Sequence, residues 1–571
     1  MALSGQSNRA RVCLLLDQSG HSTRSHHRWI RPRKCNILNV SVALVQKRRQ
    51  VTVFTIGMLQ MQLHSRDRSA AERAVVAEPG VGADIHRALE WLRAGTIGID
   101  TEYPIVGGQR SRRIYLDSSA TSLRLGPVQK VLDAFQPHYA NTHSSLHYGA
   151  RLSSAAYAWA HEAVLSFVRA HAPEWMCFFV GNGATGAINR IAQSLRAARP
   201  ERDAVITTVM EHHSNDLPHR KHFARVIHLP VVTRKSGLGA VDLGQLEREL
   251  QAQCGRVNYV AVTGVSNVTG IVNPVEEIAR IAHRYDALIV VDGAQMTAHV
   301  PLQMSGHADP AEDLDVLAFS GHKVYAPGSP GVVVARSSLF SSIEPVEVGG
   351  GMVEGVWVDR YVPTQRMPDR EEAGTPNITG AIGLGAALYT LQRIGMKNVQ
   401  AEEERLLEYL LSRLAEIPGL IIYGDTDTRA SKRAGAVAFN IEGMDHALTA
   451  AILNDHFNIA VRNECFCAHP YVREMIMSAL GDAIDELSNE ELERRADEQR
   501  GMVRASFGIY TILEDVDRLV EAVKLIAEKR ETFAAHYEQL PNGDYRHRSF
   551  RVDVSEFFSP PDFIDAIWPS P

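Results

Sequence analysis

The chain has 571 residues, 45% hydrophobic and 22% charged, a balance that excludes a disordered, collagen-like or coiled-coil architecture and leaves room for more than one packed domain. Lys and Arg number 60 against 66 Asp and Glu, a formal net charge of −6, so nothing global points to nucleic acid or to an anionic membrane surface. Six cysteines (Cys13, Cys35, Cys177, Cys254, Cys465 and Cys467) are too few and too scattered for a disulfide scaffold, and no apolar run approaches the roughly 18 residues of a membrane span.

Charge is unevenly spread along the chain. Between Met1 and Ala70 the only acids are Asp17 and Asp67, among many bases such as Arg9, Arg24, Arg33, Lys47 and Arg68, with serines and histidines between them. Residues 1–83 therefore read as a basic leader: either a transit peptide, which would place the protein in an organelle matrix, or an upstream extension of a cytoplasmic protein, with Met58 and Met61 as later starts. No interleaved aromatics support a nucleic-acid arm.

Short apolar, β-branched runs follow. They are Met176–Val180, Ala204–Val209, Val226–Val232, Tyr259–Val262, Ala287–Val291, Val316–Phe319 and Val332–Ala335. Runs this hydrophobic predict strands buried on both faces of a mainly parallel sheet. Ile188, Ile191 and Leu195 at helical spacing predict a helix behind the first strand. The alternation predicts an α/β domain over 84–390 with ligands at the C-terminal strand ends. Amphipathic helices over Glu402–Ile417 and Asp515–Glu528 predict a smaller α+β domain over 391–535, and the proline-bearing stretch 536–571 reads as a surface-hugging tail.

Three places carry chemistry. Gly181-Asn-Gly-Ala-Thr-Gly186 follows the first strand and opens a helix, so it offers free N–H groups to a phosphate. It also matches the dinucleotide fingerprint, with Glu211 where a ribose-binding acid could sit. Asp292 ends one apolar run, and Lys323 follows another within Ser320-Gly-His-Lys323. Buried charges of this kind need partners. Either they form a salt bridge at the sheet rim, or both serve one cofactor. Pyridoxal 5′-phosphate requires a lysine for a Schiff base, an acid for its ring nitrogen and a helix N-terminus for its phosphate. A nicotinamide enzyme would leave Asp292 and Lys323 unexplained.

With these residues the sequence resembles the class V aminotransferases, fold-type I pyridoxal-phosphate enzymes, and within them the cysteine desulfurase and selenocysteine lyase branch. The resemblance spans Ile114 to Ile526 and rests on Tyr115–Ala120, Gly183–Thr185, Glu211–Asn215, Ser266–Gly270, Asp292–Gln295, Ser320–Lys323, Gly349–Met352, Glu372–Asn377 and Arg504–Ser506. It implies that Lys323 carries the cofactor and moves protons at the substrate Cα, and that Asp292 keeps the ring nitrogen protonated. Gln295 is implied to bond the phenolic oxygen and His212 to stack on the ring, with His213 as the competing histidine. Ala184, Thr185, Ser320 and His322 are implied to hold the phosphate. Thr375 would reach the phosphate of a second subunit, making a homodimer. Asn267 and Arg504 would grip the carboxylate of a small amino-acid substrate.

Arg462-Asn-Glu-Cys-Phe-Cys467-Ala-His-Pro470 decides among reactions. In desulfurases with a short catalytic loop an arginine precedes the catalytic cysteine by this spacing, and Ala-x-Pro follows it. The resemblance implies a persulfide on Cys467, release of alanine and delivery of sulfur to an acceptor protein. Arg462 and His469 would favour the thiolate. The glycine and histidines usual in this stretch are replaced by Asn463, Glu464, Cys465 and Phe466. Glu464 would raise the pKa of a neighbouring thiol, and Cys465 could serve as a second thiol or a disulfide partner. The alternative is a class V aminotransferase or lyase acting on another amino acid without a persulfide. Cys-x-Cys alone is too sparse for a metal site, so none is expected.

Overall fold

The seven apolar runs pair into one sheet. In the computed structural model, which describes residues 83–479 and 501–569, they form β1 (Trp175–Val180), β2 (Ala204–Thr208), β3 (Arg225–Leu229), β4 (Val257–Thr263), β5 (Leu288–Asp292), β6 (Val316–Ser320) and β7 (Gly331–Arg336). The order across the sheet is β1-β7-β6-β5-β4-β2-β3. Only β7 runs against its neighbours, so the C-terminal ends of the other six strands share one edge. Apart from Ala83, the basic leader lies outside the described residues.

Side chains alternate between two packed faces, as a period of two requires. Phe179, Val260, Val262, Ile289, Val291, Leu317 and Phe319 join one core with helices α1 (Tyr148–Phe167) and α3 (Ile378–Ile394). Phe178, Tyr259, Ala261, Val290, Val316 and Ala318 join the other with α2 (Gly183–Ala198). Ile188, Ile191 and Leu195 of α2 are fully buried there. Every residue of β4 and β6 is buried, which is why their sequences show no polar alternation.

One run departs from the expected doubly buried strand. Val226–Val232 breaks at Pro230, which has no N–H for a ladder bond. β3 is consequently an edge strand with Arg225 exposed and its middle only half-buried. Val231–Arg234 leaves the sheet and pairs with Gly237–Val241.

A second, antiparallel sheet contains β8 (Leu420–Tyr423), β9 (Ala436–Ile441), β10 (Arg462–Glu464) and β11 (Met502–Ser506) in the order β8-β9-β11-β10. Against it pack α4 (Met396–Leu414), α5 (His446–Phe457) and α6 (Leu513–Glu528), which give Leu406, Leu410, Ile452, Leu519 and Val523 to a core with Val437, Phe439 and Val503. A segment from the start of the fold ties into this part. Ile114–Tyr115 pairs with Ile459–Ala460, and Asp117 bridges to Ser506.

The stretch after 536 begins with more structure than a tail. Tyr537–Gln539 and Tyr545–His547 form a hairpin with Tyr537 and His547 buried, before the exposed helix Pro560–Ile567. Among the described residues no helix is long and apolar enough to cross a membrane.

Phe439 is one of two fully buried phenylalanines in the second core, with Phe507. Phe439→Ala should lower unfolding free energy by about 3–5 kcal/mol, read from denaturant titration with an unchanged m-value.

Candidate active site

Register builds the first wall of the site. Val180, Gly331 and Ser320 stand side by side at the shared strand edge. The middle one has to be glycine, since a Cβ on Gly331 would fall 2.2 Å from the carbonyl oxygen of Gly183. That close approach lets the turn after β1 fold over the edge, with Asn182 (φ 55) and Gly183 (φ 60) left-handed. The Ala184 N–H then donates to Ser320 Oγ at 2.7 Å, and Thr185 Oγ1 lies 2.6 Å from Ser214 Oγ. Free N–H groups and the positive dipole end of α2 face the same space, an environment made for an anion.

Below this turn lies a cavity of about 250 Å³. Nine of the residues singled out in the sequence line it: Ala184, Thr185, His212, Asn267, Asp292, Gln295, Ser320, His322 and Lys323. Ala120, Asn182, Ser214 and Ala294, each inside a motif noted in the sequence, line it as well, and so does Thr263, which no sequence signal marked. Thr375 is exposed and does not line the cavity of its own chain.

Asp292 ends β5, and Lys323 lies on the single turn Gly321–Lys323 after the neighbouring β6. Burial raises the Asp292 carboxyl above its usual range, against the Ala294 amide at 2.9 Å and the charge of Lys323. Burial pushes the Lys323 amine down to about 8, with Asp292 opposing. Among the described residues no ion pair joins the two directly, so the rim salt bridge is not formed.

His212 and His213 are sorted by geometry. His212 faces the cavity, and its Nδ1 accepts the Ser214 N–H at 3.1 Å. Burial and then the charge of Lys323 bring its pKa down to about 4, so the ring is neutral around pH 7. His213 turns away and stacks on His469, centroids 4.8 Å apart. Gln295 Nε2 donates to the Ser119 carbonyl at 2.8 Å. Glu211 is not available to a ribose, because Thr208 Oγ1 (2.6 Å), Asn215 Nδ2 (2.6 Å) and the Thr263 N–H (3.1 Å) occupy its oxygens.

Arg504, on β11, approaches from the other sheet. Its Nη1 donates to the Asn267 carbonyl at 2.7 Å and its Nη2 to Asp117 Oδ1 at 3.1 Å, while its buried Nε has no partner. Burial lowers the guanidinium to about 10, which leaves it charged. Asp117 was legible only as part of Tyr115–Ala120; its partnership with Arg504 comes from the bridge to Ser506.

Cys467 is exposed and lies outside the cavity lining. Its loop is nonetheless tied to the site. Asn267 Nδ2 donates to the Phe466 carbonyl at 2.8 Å, the His213 N–H donates to the Cys467 carbonyl at 2.7 Å, and Arg504 lies over the Phe466 ring at 4.8 Å. Arg462 pairs with Glu464 at 4.0 Å and His469 with His213 at 2.9 Å, so these two groups are directed to other partners. Burial and then Glu464 raise the pKa of Cys465. Among the described residues neither Cys465 nor Cys467 forms a disulfide.

The family profile described as aminotransferase class-V matches residues 114–519. The chain belongs to that family. A class-V relative from Halalkalibacterium halodurans, named "Probable cysteine desulfurase", is 35% identical over 422 residues, 73% of this chain and 93% of that protein. A cysteine desulfurase of Dickeya dadantii is 35% identical over 415 residues, 72% of this chain and 91% of its own. Among solved structures, the apo cysteine desulfurase of Thermococcus onnurineus NA1 superposes with a TM-score of 0.62 at 30% identity, covering 73% of this chain and 95% of that one.

The class-V cavity has a donor set for three jobs: amides and hydroxyls for a phosphate, a buried carboxylate for a protonated ring nitrogen, and an amine for a carbonyl. Pyridoxal phosphate matches all three. Asp117 has a separate task, neutralising a buried guanidinium. Asp117→Ala should therefore destabilise the fold by about 3 kcal/mol, measured by thermal or denaturant unfolding.

Proposed function

We propose that the chain is a pyridoxal-phosphate-dependent cysteine desulfurase that converts L-cysteine to L-alanine and leaves the sulfur as a persulfide on Cys467. One observation carries the reading: Asp292, Lys323 and Asn267 line one cavity under a helix N-terminus, and Asn267, with Arg504 beside it though outside the lining, also holds the loop of Cys467. The names of the relatives support the same reaction.

In this reading Ala184, Thr185, Ser320 and His322 hold the phosphate, His212 lies against the ring as a neutral imidazole, and Gln295 meets the phenolic oxygen. Asp292 keeps the ring nitrogen protonated, which suits a carboxylate enclosed by protein. The bound cofactor supplies an electron sink that weakens bonds at the substrate Cα and Cβ. Lys323 holds the cofactor and then moves the proton at Cα; a pKa near 8 lets one amine both accept and return it. Arg504 and Asn267 take the substrate carboxylate. Asn267 Nδ2 donates one N–H to the Phe466 carbonyl and keeps a second for the substrate, so a single amide would link the carboxylate to the thiol loop. Cys467 as thiolate attacks the substrate sulfur. The S–S bond forms as C–S breaks, the electron pair stays with the carbon fragment, and protonation yields alanine.

The exposure of Cys467 suits delivery to a sulfur-acceptor protein. Exposed Thr375 suits a homodimer in which it reaches the second subunit's phosphate. Residues 84–390 would act as the cofactor-binding domain and 391–535 as the small domain, with 536–571 appended. The position of Cys467 outside the cavity lining favours a second reading, a class-V aminotransferase or lyase on another amino acid. A 2-oxo acid product in place of alanine would select it.

Incubation with L-cysteine should yield alanine and, with a reductant, sulfide. Cys467→Ser should lower alanine formation by roughly 10³-fold or more while leaving the visible absorbance intact. Lys323→Ala should abolish the stable absorbance of the isolated protein. A colourless wild type that stays colourless after addition of pyridoxal phosphate refutes the assignment. The Lys323 amine sits at about 8, and only its unprotonated form attacks an aldehyde. Cofactor attachment by the apoprotein should accelerate from pH 6 to pH 8 and level off above, followed by stopped-flow absorbance.

A further inference from the structure

Three histidines outside the cavity lining converge near the end of the chain. His456 lies in the last turn of α5, His536 follows the helix Arg530–Ala535, and His547 ends the hairpin strand Tyr545–His547. One ligand-capable atom of each lies within 4.8 Å of the other two. His536 and His547 fall outside the matched stretch 114–519, so class-V chemistry does not account for them. A second observation points the same way. The Nε2 atoms of both His456 and His547 are buried without a hydrogen-bond partner, and His547 is only 5% exposed. Buried nitrogens left unpaired are costly and uncommon in native folds.

We propose that His456, His536 and His547 bind one divalent transition-metal ion of the zinc class. Three imidazoles suit zinc, cobalt, nickel or copper and not magnesium or calcium. Metal–nitrogen bonds of about 2.0–2.1 Å in a tetrahedron set the nitrogens roughly 3.4 Å apart, so the widest pair has to close by little more than about 1 Å. His536 is exposed and can swing inward. The charge of Asp455 reaches both rings and favours a cation, while Arg551 opposes it at His547.

One contact has to change. His547 Nδ1 accepts the amides of Ser549 (3.2 Å) and Phe550 (3.0 Å), which places the ring proton on Nε2. Coordination through Nε2 shifts that proton to Nδ1 and frees the two amides, on a turn where Ser549 is exposed, to bond water. The ion would staple the C-terminal hairpin to α5, with its fourth position open to water.

The full-length protein, stripped with a chelator and dialysed against cobalt(II), should bind one equivalent at this site with the visible bands of tetrahedral cobalt. Zinc should raise its melting temperature. His536→Gln changes an exposed side chain and should keep the fold, yet lose both the cobalt bands and the zinc-dependent shift. His456→Gln should do the same. Wild type without a stoichiometric tetrahedral cobalt signal overturns the proposal. So does a signal that survives in His536→Gln, which would move the ion to other ligands such as His21, His26 and His27. The readouts do not involve turnover, so they stand apart from the desulfurase assignment.

Discussion

A carboxylate and an amine at the ends of adjacent parallel strands, enclosed together yet not in contact, set the terms for everything around them. Asp292 and Lys323 each resist their charged state because burial penalises it, and each partly relieves the other. Their shared environment is arranged so that neither collapses onto the other. Lys323 sits on a one-turn extension of β6, and the Asp292 carboxylate is held back by the Ala294 amide. The space kept between them is a pocket prepared for a polar ring with one acidic and one electrophilic end. Because both charges hang on the strand ends, the sheet register fixes their positions.

The same register explains why the glycine-rich turn matters less as a motif than as a fit. Gly331 belongs to the one antiparallel strand and carries no recognised signature, yet it decides how closely the turn can approach Ser320. The fingerprint Gly181–Gly186 is shared by dinucleotide and phosphate sites. Glu211 separates them, since its oxygens are saturated by internal donors and its carboxyl is pushed up to about 8 by burial. A group held neutral in the core is a structural brace, not a ribose ligand.

How much could be read without coordinates follows the range of each interaction. Strands were legible because burial on both faces writes itself locally as β-branched runs; the exception, Val226–Val232, carried its own warning in Pro230. Asp292, Lys323 and the glycine-rich turn were legible as chemistry at the ends of apolar strands, and the other cavity residues through the motifs that carry the family resemblance. The pairing of Asp117 with Arg504 was not legible. That contact spans 387 positions and depends on a single bridge between Asp117 and Ser506. The partners of the residues beside Cys467 were not legible for a related reason. Arg462 and His469 are close to it in sequence, but the local backbone turns them toward Glu464 and His213. Proximity along a chain with left-handed residues says little about where side chains point.

That backbone is the last point of argument. Glu464 (φ 94), Phe466 (φ 50) and Cys467 (φ 55) adopt positive φ values that L side chains disfavour, at a cost on the order of 1–2 kcal/mol each. Such a loop persists only where neighbours hold it, and here the holders are identifiable: the Asn267 amide on Phe466, the His213 N–H on Cys467, and the Arg504 guanidinium over the Phe466 ring. Asn267 and Arg504 also face a substrate carboxylate in the proposed reaction. In that reading a substrate carboxylate would meet two of the three groups that hold a strained turn, one residue away from the thiol. Phe466, one of the residues that replace the glycine and histidines usual in this stretch, then has a physical consequence: its carbonyl and its ring are what Asn267 and Arg504 hold, so the conformation of the thiol loop is tied to the two groups proposed to recognise the substrate.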